Sequence, residues 1–151
     1  MSTKTPVAAI AFKADGAAGA MEVELVPLEW LKTHEEVRWN KVEELAEMTL
    51  KWGCYTKPLI VDKVTGAILD GHHRHQVAIK LGLTKVPAVL FDYLVDDSIT
   101  VEARQGSPME KISKQDVIEM SLSDEVFPAK TTRHSMDWDT PPIMVLLEDL
   151  R

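Results

Sequence analysis

The stretch from Pro58 to Leu94 constrains the fold more than any other part of the chain. Two short apolar runs, Leu59-Ile60-Val61 and Ala67-Ile68-Leu69, flank Lys63-Val64-Thr65-Gly66, the pattern of two strands joined by a turn. Asp70-Gly71 follows at once. Val77, Ala78 and Leu81 then recur at helix spacing up to Gly82, where a helix commonly stops in a left-handed residue. Val86 to Leu94 returns as a strand. A hairpin, a helix and a strand in unbroken succession bury their apolar faces by layering the helix on a sheet.

The flanking sequence extends this pattern. Met21 to Glu29 alternates apolar and polar residues like a half-buried strand, which Pro27 ends. Val42, Leu45, Ala46, Thr49 and Leu50 fall at helix spacing with Glu43, Glu44 and Glu47 opposite, Asn40 as the expected cap and Gly53 as the stop. The order strand, helix, hairpin, helix, strand predicts an α/β (α+β) fold and argues against a bundle or a sandwich. Beyond Asp96 and Asp97 the pattern weakens. Residues 107–122 read as a short helix or two, 125–142 as an ordered loop, and Ile143 to Leu147 as an edge strand or short helix. Residues 1–20, rich in Gly and Ala, read as a flexible arm, leaving 21–151 as a single domain.

Composition narrows the partners. A chain of 151 residues with 45% hydrophobic and 27% charged content suits one core that needs neither disulfides nor structural metal. The lone Cys54 fits a buried spectator in a reducing compartment, and the cytoplasm is the expected location. A net charge of −7 counts against nucleic acid as a partner, because such affinity comes from cations neutralising phosphates. No apolar run approaches the roughly 20 residues of a membrane helix.

The residues that carry chemistry fall in three short segments, and all five histidines lie in them: His34 beside Glu35; His72, His73 and His75 after Asp70; and His134 after Lys130-Thr131-Thr132-Arg133. In the central segment the first N–H groups of a helix lack intrahelical partners and carry the positive end of the dipole. Gly71 lets another group approach the backbone. Arg74 adds a fork suited to phosphate or carboxylate, and neutral His72 and His73 can donate further bonds. Asp70 to Arg74 is therefore the expected anion site, with a nucleotide's phosphates as the ligand. His72 and His75, three apart, invite a zinc reading, but Arg74 would put positive charge beside the ion; Mg2+ arriving with phosphates, with Asp70 as an oxygen ligand, fits better. Lys130 to His134 reads as a second anion clamp, with a solvated basic loop as its alternative.

These segments resemble the ParB and sulfiredoxin superfamily and, within it, the free L-serine kinases. The likeness runs from about Leu28 to Tyr93 and again from about Phe127 to Leu150, and is strongest over Leu69-Asp70-Gly71-His72-His73-Arg74. It implies a compact ParB/sulfiredoxin-like domain with a small mixed sheet flanked by helices. The kinase pattern implies that Glu35 positions and deprotonates the acceptor hydroxyl. It also implies that Asp70 serves Mg2+ and catalysis, that Gly71, His72, His73 and Arg74 hold the phosphates, and that Lys130, Thr131, Thr132, Arg133 and His134 bind the amino acid, with Arg133 facing its carboxylate. Sulfiredoxins carry a catalytic cysteine where this chain has His72, so sulfinic acid reduction is not expected. The segment between the core and Lys130 is also shorter than in the kinases.

Two functions are consistent with these residues. One is a kinase that moves a phosphoryl group from ADP or ATP to a small hydroxylated amino acid. The other is a nucleotide-binding or nucleotide-hydrolysing module acting as a switch or adaptor. A bare phosphate binder needs neither Glu35 nor a second anion clamp, which favours the kinase.

Overall fold

The computed structural model describes residues 12–16, 19–140 and 142–151, with side chains from residue 22 onward. Nine strands are described: β1 (Phe12–Gly16), β2 (Gly19–Pro27), β3 (Cys54–Tyr55), β4 (Leu59–Asp62), β5 (Ile68–Asp70), β6 (Lys85–Phe91), β7 (Ile99–Ala103), β8 (Thr132–Met136) and β9 (Val145–Leu146). The α-helices are α1 (Trp39–Trp52), α2 (His72–Lys80) and α3 (Lys114–Ser121). Five strands form a mixed sheet in the order β1-β2-β6-β4-β5, in which only the β4–β6 pair is parallel. β3–β9 and β7–β8 are separate two-stranded pairs. The architecture is the mixed α/β arrangement expected from the sequence.

β4 runs through the interior with all four residues buried, as a strand covered on both faces must. Its side chains alternate between two cores. Leu59 and Val61, with Ile68 of β5, pack against Val42 and Ala46 of α1 and Val77 and Ala78 of α2. Ile60, with Ala67 and Leu69, faces the opposite way toward Tyr93, Ile99, Val117, Ile118 and Trp138. The turn between β4 and β5 is closed by Asp62, whose buried carboxylate accepts from Thr65 N (3.0 Å), Thr65 Oγ1 (2.6 Å) and Tyr93 N (3.1 Å). A buried charge is tolerable there because each oxygen is satisfied.

Several sequence expectations are corrected. α1 begins at Trp39 with Arg38 at the cap position, so Asn40 lies inside the first turn. The start is set by a tertiary contact, since Arg38 N–H donates to His73 Nε2 (3.1 Å). Within the 1–20 stretch read as an arm, Phe12–Gly16 and Gly19–Ala20 are strand residues, because the backbone of β1 pairs antiparallel along β2 with Gly16 opposite Gly19; residues 1–11, 17 and 18 lie outside the described residues. The 125–142 loop contains β8, which pairs in register with β7, Glu102 opposite Arg133 and Val101 opposite His134. Ile143 to Leu147 proves to be both things expected of it, a two-residue strand leading into a 3-10 turn over Leu147–Leu150. Cys54 is buried and free. Among the described residues, no helix is long and apolar enough to cross a membrane.

Candidate functional site

The Asp70-Gly71 step takes the chain from the end of β5 into α2. Gly71 has φ +117°, and a Cβ there would stand 2.6 Å from Leu59 Cγ and 3.0 Å from Arg74 Nη2. The first intrahelical bond runs from His75 N–H to Gly71 O, which leaves the N–H groups of His72, His73 and Arg74 without an acceptor inside the helix. The Arg74 guanidinium turns back over the glycine, 3.7 Å from Asp70 Oδ2, and its buried Nε and Nη2 make no hydrogen bond. Burial pushes Arg74 down from its ordinary value, with Asp70 offsetting part of the effect. A guanidinium whose buried Nε and Nη2 make no hydrogen bond and whose Nη2 has only a long ion pair to Asp70, beside helix N–H groups with no acceptor inside the helix, marks a place prepared for an anion.

The two histidines of this turn hold more than an anion site. His72 Nε2 accepts from His34 N–H (3.2 Å) and His73 Nε2 from Arg38 N–H (3.1 Å), so the rings pin residues 34–38 to the start of α2. An accepting Nε2 fixes each neutral ring as the Nδ1–H tautomer, leaving Nδ1–H as the donor.

Glu35 stands on the pinned segment. Its backbone bridges to Phe127, with Phe127 N–H to His34 O at 2.7 Å and Glu36 N–H to Phe127 O at 2.8 Å, so the chain after Phe127 is laid across it. The Glu35 carboxylate accepts from Thr132 N–H (2.8 Å) and Thr132 Oγ1 (2.8 Å) on Oε1, and from Lys130 N–H (3.2 Å) on Oε2. Lys130 adopts φ +61°, a left-handed conformation uncommon outside glycine, in the stretch where its N–H meets this carboxylate. Thr131 is turned away: its side chain is fully buried and its hydroxyl donates to Pro128 O (2.7 Å).

The three histidine segments converge. The His34 ring packs edge-on to His72 (4.5 Å between centroids) and to His134 (5.7 Å). Burial holds His34 down to about 4, against a smaller opposing effect of the Ile68 backbone, and holds His134 down to about 3; burial and then the neighbouring histidines, His34 first, push His72 well below its ordinary value, and His34 also disfavours charge on His134. The cluster is neutral at pH 7. His134 Nε2 is joined to Tyr93 Oη at 2.7 Å, which leaves Nδ1 as its remaining polar atom.

One cleft of about 650 Å³ joins these parts; Glu35, Asp70, Gly71, His72, His73, Arg74, Lys130, Thr132, Arg133 and His134 all line it. Sequence reasoning missed Arg38, Lys41, Glu44, Leu45, Met48 and Arg104 in its walls. Lys41, Glu44, Leu45 and Met48 are spaced as one face of α1, a pattern visible in the sequence that the core-facing stripe obscured. Arg104 carried no local signal; it is placed by Nε donating to Thr132 O (3.0 Å) and its backbone N–H to Thr131 O (2.9 Å). A second cleft beside loop 104–108 shares Arg104, Lys130 and Arg133 with the first.

The backbone matches the structure of a free serine kinase variant in complex with AMP, with a TM-score of 0.78 over 87% of this chain and 94% of that one at 18% identity. The fold is that of a free serine kinase. Sequence relatives carry both names that the resemblance implied. A ParB-like protein of Sulfolobus acidocaldarius is 42% identical over 83 residues, 52% of this chain and 40% of its own. An ADP-dependent L-serine kinase of Thermococcus kodakarensis is 36% identical over 76 residues, 48% of this chain and 31% of its own. The matched stretch thus spans well under half of these curated relatives. No protein-family model matches the chain.

Proposed function

We propose that this chain, on the free serine kinase fold, transfers a phosphoryl group from ADP or ATP to the hydroxyl of a small amino acid, free L-serine foremost, giving phosphoserine. The observation that carries this reading is that a carboxylate fixed by three hydrogen bonds, Glu35, lines the same cleft as the start of α2 at Gly71 to Arg74, where the buried Arg74 Nε and Nη2 make no hydrogen bond. An anion site alone does not need a base; phosphoryl transfer needs both in one place.

The N–H groups at the start of α2, with Arg74 and the Nδ1–H of His72 and His73, hold the donor phosphates. Asp70 is partly exposed at the cleft, its carboxylate having Arg74 as an ion-pair partner at 3.7 Å, and no group of three or more ligating side chains occurs among the described residues. A single hard oxygen ligand fits Mg2+ that brings its own waters and phosphates, and such an ion supplies charge neutralisation on the transferred group. Arg133 and Lys130 face the acceptor's carboxylate from β8 and the turn before it. The acceptor oxygen forms its bond to phosphorus as the bond to the nucleotide's leaving phosphate breaks. Its proton passes to Glu35, and AMP or ADP departs.

The test is incubation with ADP or ATP, Mg2+ and a panel of hydroxyl amino acids, read by mass spectrometry. Phosphoserine is the expected product. Tight nucleotide binding with no phosphorylated acceptor would replace this reading with that of a nucleotide-binding module, in keeping with the ParB-like relative.

A further inference from the structure

Thr132 has a position that acceptor binding does not explain. Its Oγ1 lies 2.8 Å from Glu35 Oε1 and 3.2 Å from His34 Nε2, and its N–H lies 2.8 Å from the same Glu35 oxygen. The residue is buried, and His34 behind it is only 1% exposed. A hydroxyl has one proton to give and an ionised carboxylate can only accept, so the short contact to Oε1 assigns that proton to Glu35. The hydroxyl's remaining capacity toward His34 is a lone pair. A neutral His34 must then carry its proton on Nε2, opposite to the tautomer that His72 and His73 adopt in the same cleft.

We infer that Thr132 and His34 are positioning residues: the chain His34 Nε2–H to Thr132 Oγ1–H to Glu35 Oε1 pins one carboxylate oxygen and leaves Oε2 to take the acceptor's proton. Oε1 already receives two donors, whereas Oε2 receives only Lys130 N–H at 3.2 Å. A glutamate has three rotatable side-chain bonds, and a base displaced by an ångström loses its reach to the hydroxyl. His34 is itself held by its backbone N–H on His72 Nε2, so the strut connects the base to the phosphate turn. The inference rests on the phosphoryl-transfer reading for its catalytic meaning, but not for its geometry.

Two variants and one spectrum test it. Thr132→Val keeps the β-branch and the backbone N–H and deletes the hydroxyl, while Thr132→Ser keeps the hydroxyl. In the kinase assay Thr132→Val should lower kcat by about tenfold to a hundredfold, the scale of a misplaced catalytic group, with both KM values nearly unchanged. Thr132→Ser should recover most of that loss. A raised acceptor KM at unchanged kcat would make Thr132 a substrate contact and overturn the inference. Independently of any activity, ring 15N shifts of His34 in the ligand-free wild type should report the Nε2–H tautomer, and a Nδ1–H tautomer would overturn the strut. If the wild type phosphorylates no acceptor, the proposed function fails, and the His34 tautomer, with the change in the Glu35 carboxyl 13C shift in Thr132→Val, still decides the geometry.

Discussion

Replacing Gly71 by alanine tests the claim that the phosphate turn exists only because a residue without a side chain stands there. Two costs add. The backbone sits at φ +117°, outside the left-handed well that L-residues tolerate, and the left-handed conformation costs roughly 1–2 kcal/mol even at its centre. The new Cβ would also meet Leu59 Cγ at 2.6 Å and Arg74 Nη2 at 3.0 Å, and overpacking of this kind typically costs about 1–3 kcal/mol. Arg74 is a flexible side chain that can give way, at the expense of the anion site; Leu59 is fully buried on β4 and cannot easily do so. Gly53 provides the internal comparison, with φ +71° inside the left-handed well and nothing within 4 Å of its Cβ, so that Gly53→Ala bears the ordinary left-handed cost and escapes both the clash and the extra cost of φ +117°. Urea unfolding of both variants should place Gly71→Ala about 1–3 kcal/mol below Gly53→Ala. Equal losses, or a milder loss at Gly71, would refute the argument that close packing of Leu59 and Arg74 dictates the glycine.

Three further outcomes follow from the cleft. Arg74→Ala should weaken nucleotide binding by roughly 1.5–3 kcal/mol in calorimetry, the range for a charge-assisted hydrogen bond, and unchanged affinity would remove Arg74 from the phosphate site. Glu35→Gln should leave nucleotide affinity nearly intact while lowering turnover by about a hundredfold or more; equal turnover would mean another group takes the proton. Stability should fall on acidification. His34 and His134 titrate near about 4 and about 3 when folded, against an ordinary 6.5, so below pH 6.5 the unfolded chain binds more protons than the native one. Stability is therefore lost as pH drops from 6.5 toward 4, at up to about 1.4 kcal/mol per pH unit for each ring. A urea midpoint that holds steady or rises between pH 7 and pH 5 would contradict the buried neutral cluster.

The parts legible in the sequence were those whose physics is local. The β4–β5 hairpin, the glycine at +117° and the helix after it could be read from consecutive residues, because apolar runs, a turn and a helix start each leave a short-range pattern. β8 left none. Its inward residues are Thr132, His134 and Met136, two of them polar groups, one buried and one half-buried, held inward by hydrogen bonds to Glu35 and Tyr93, so the alternation of burial has no counterpart in hydropathy. The grip on Glu35 was equally hidden, since its donors come from residues 95 and 97 positions along the chain. Residue types alone suggested that Thr131 and Thr132 shared one task; the structure separates them, one closing a loop and the other holding a carboxylate.

The alternation of β4 and β5 between two cores has a consequence for how the cleft comes into being. Leu59 and Val61 belong to the core beneath α1 and α2, whereas Ile60 belongs to the one beneath Tyr93 and Trp138. A slip of one position along the strand would exchange the two sets, exporting each to the wrong side. The wall carrying the phosphate turn and the wall carrying β8 thus draw on the same short ribbon of backbone, and neither has an independent route to order. Opening of one side exposes apolar surface on the other, so amide protons of β4, α2 and β8 should exchange through a common unfolding event. Exchange of the β8 amides at a much lower free energy than those of β4 and α2 would show instead that the two walls of the cleft open separately.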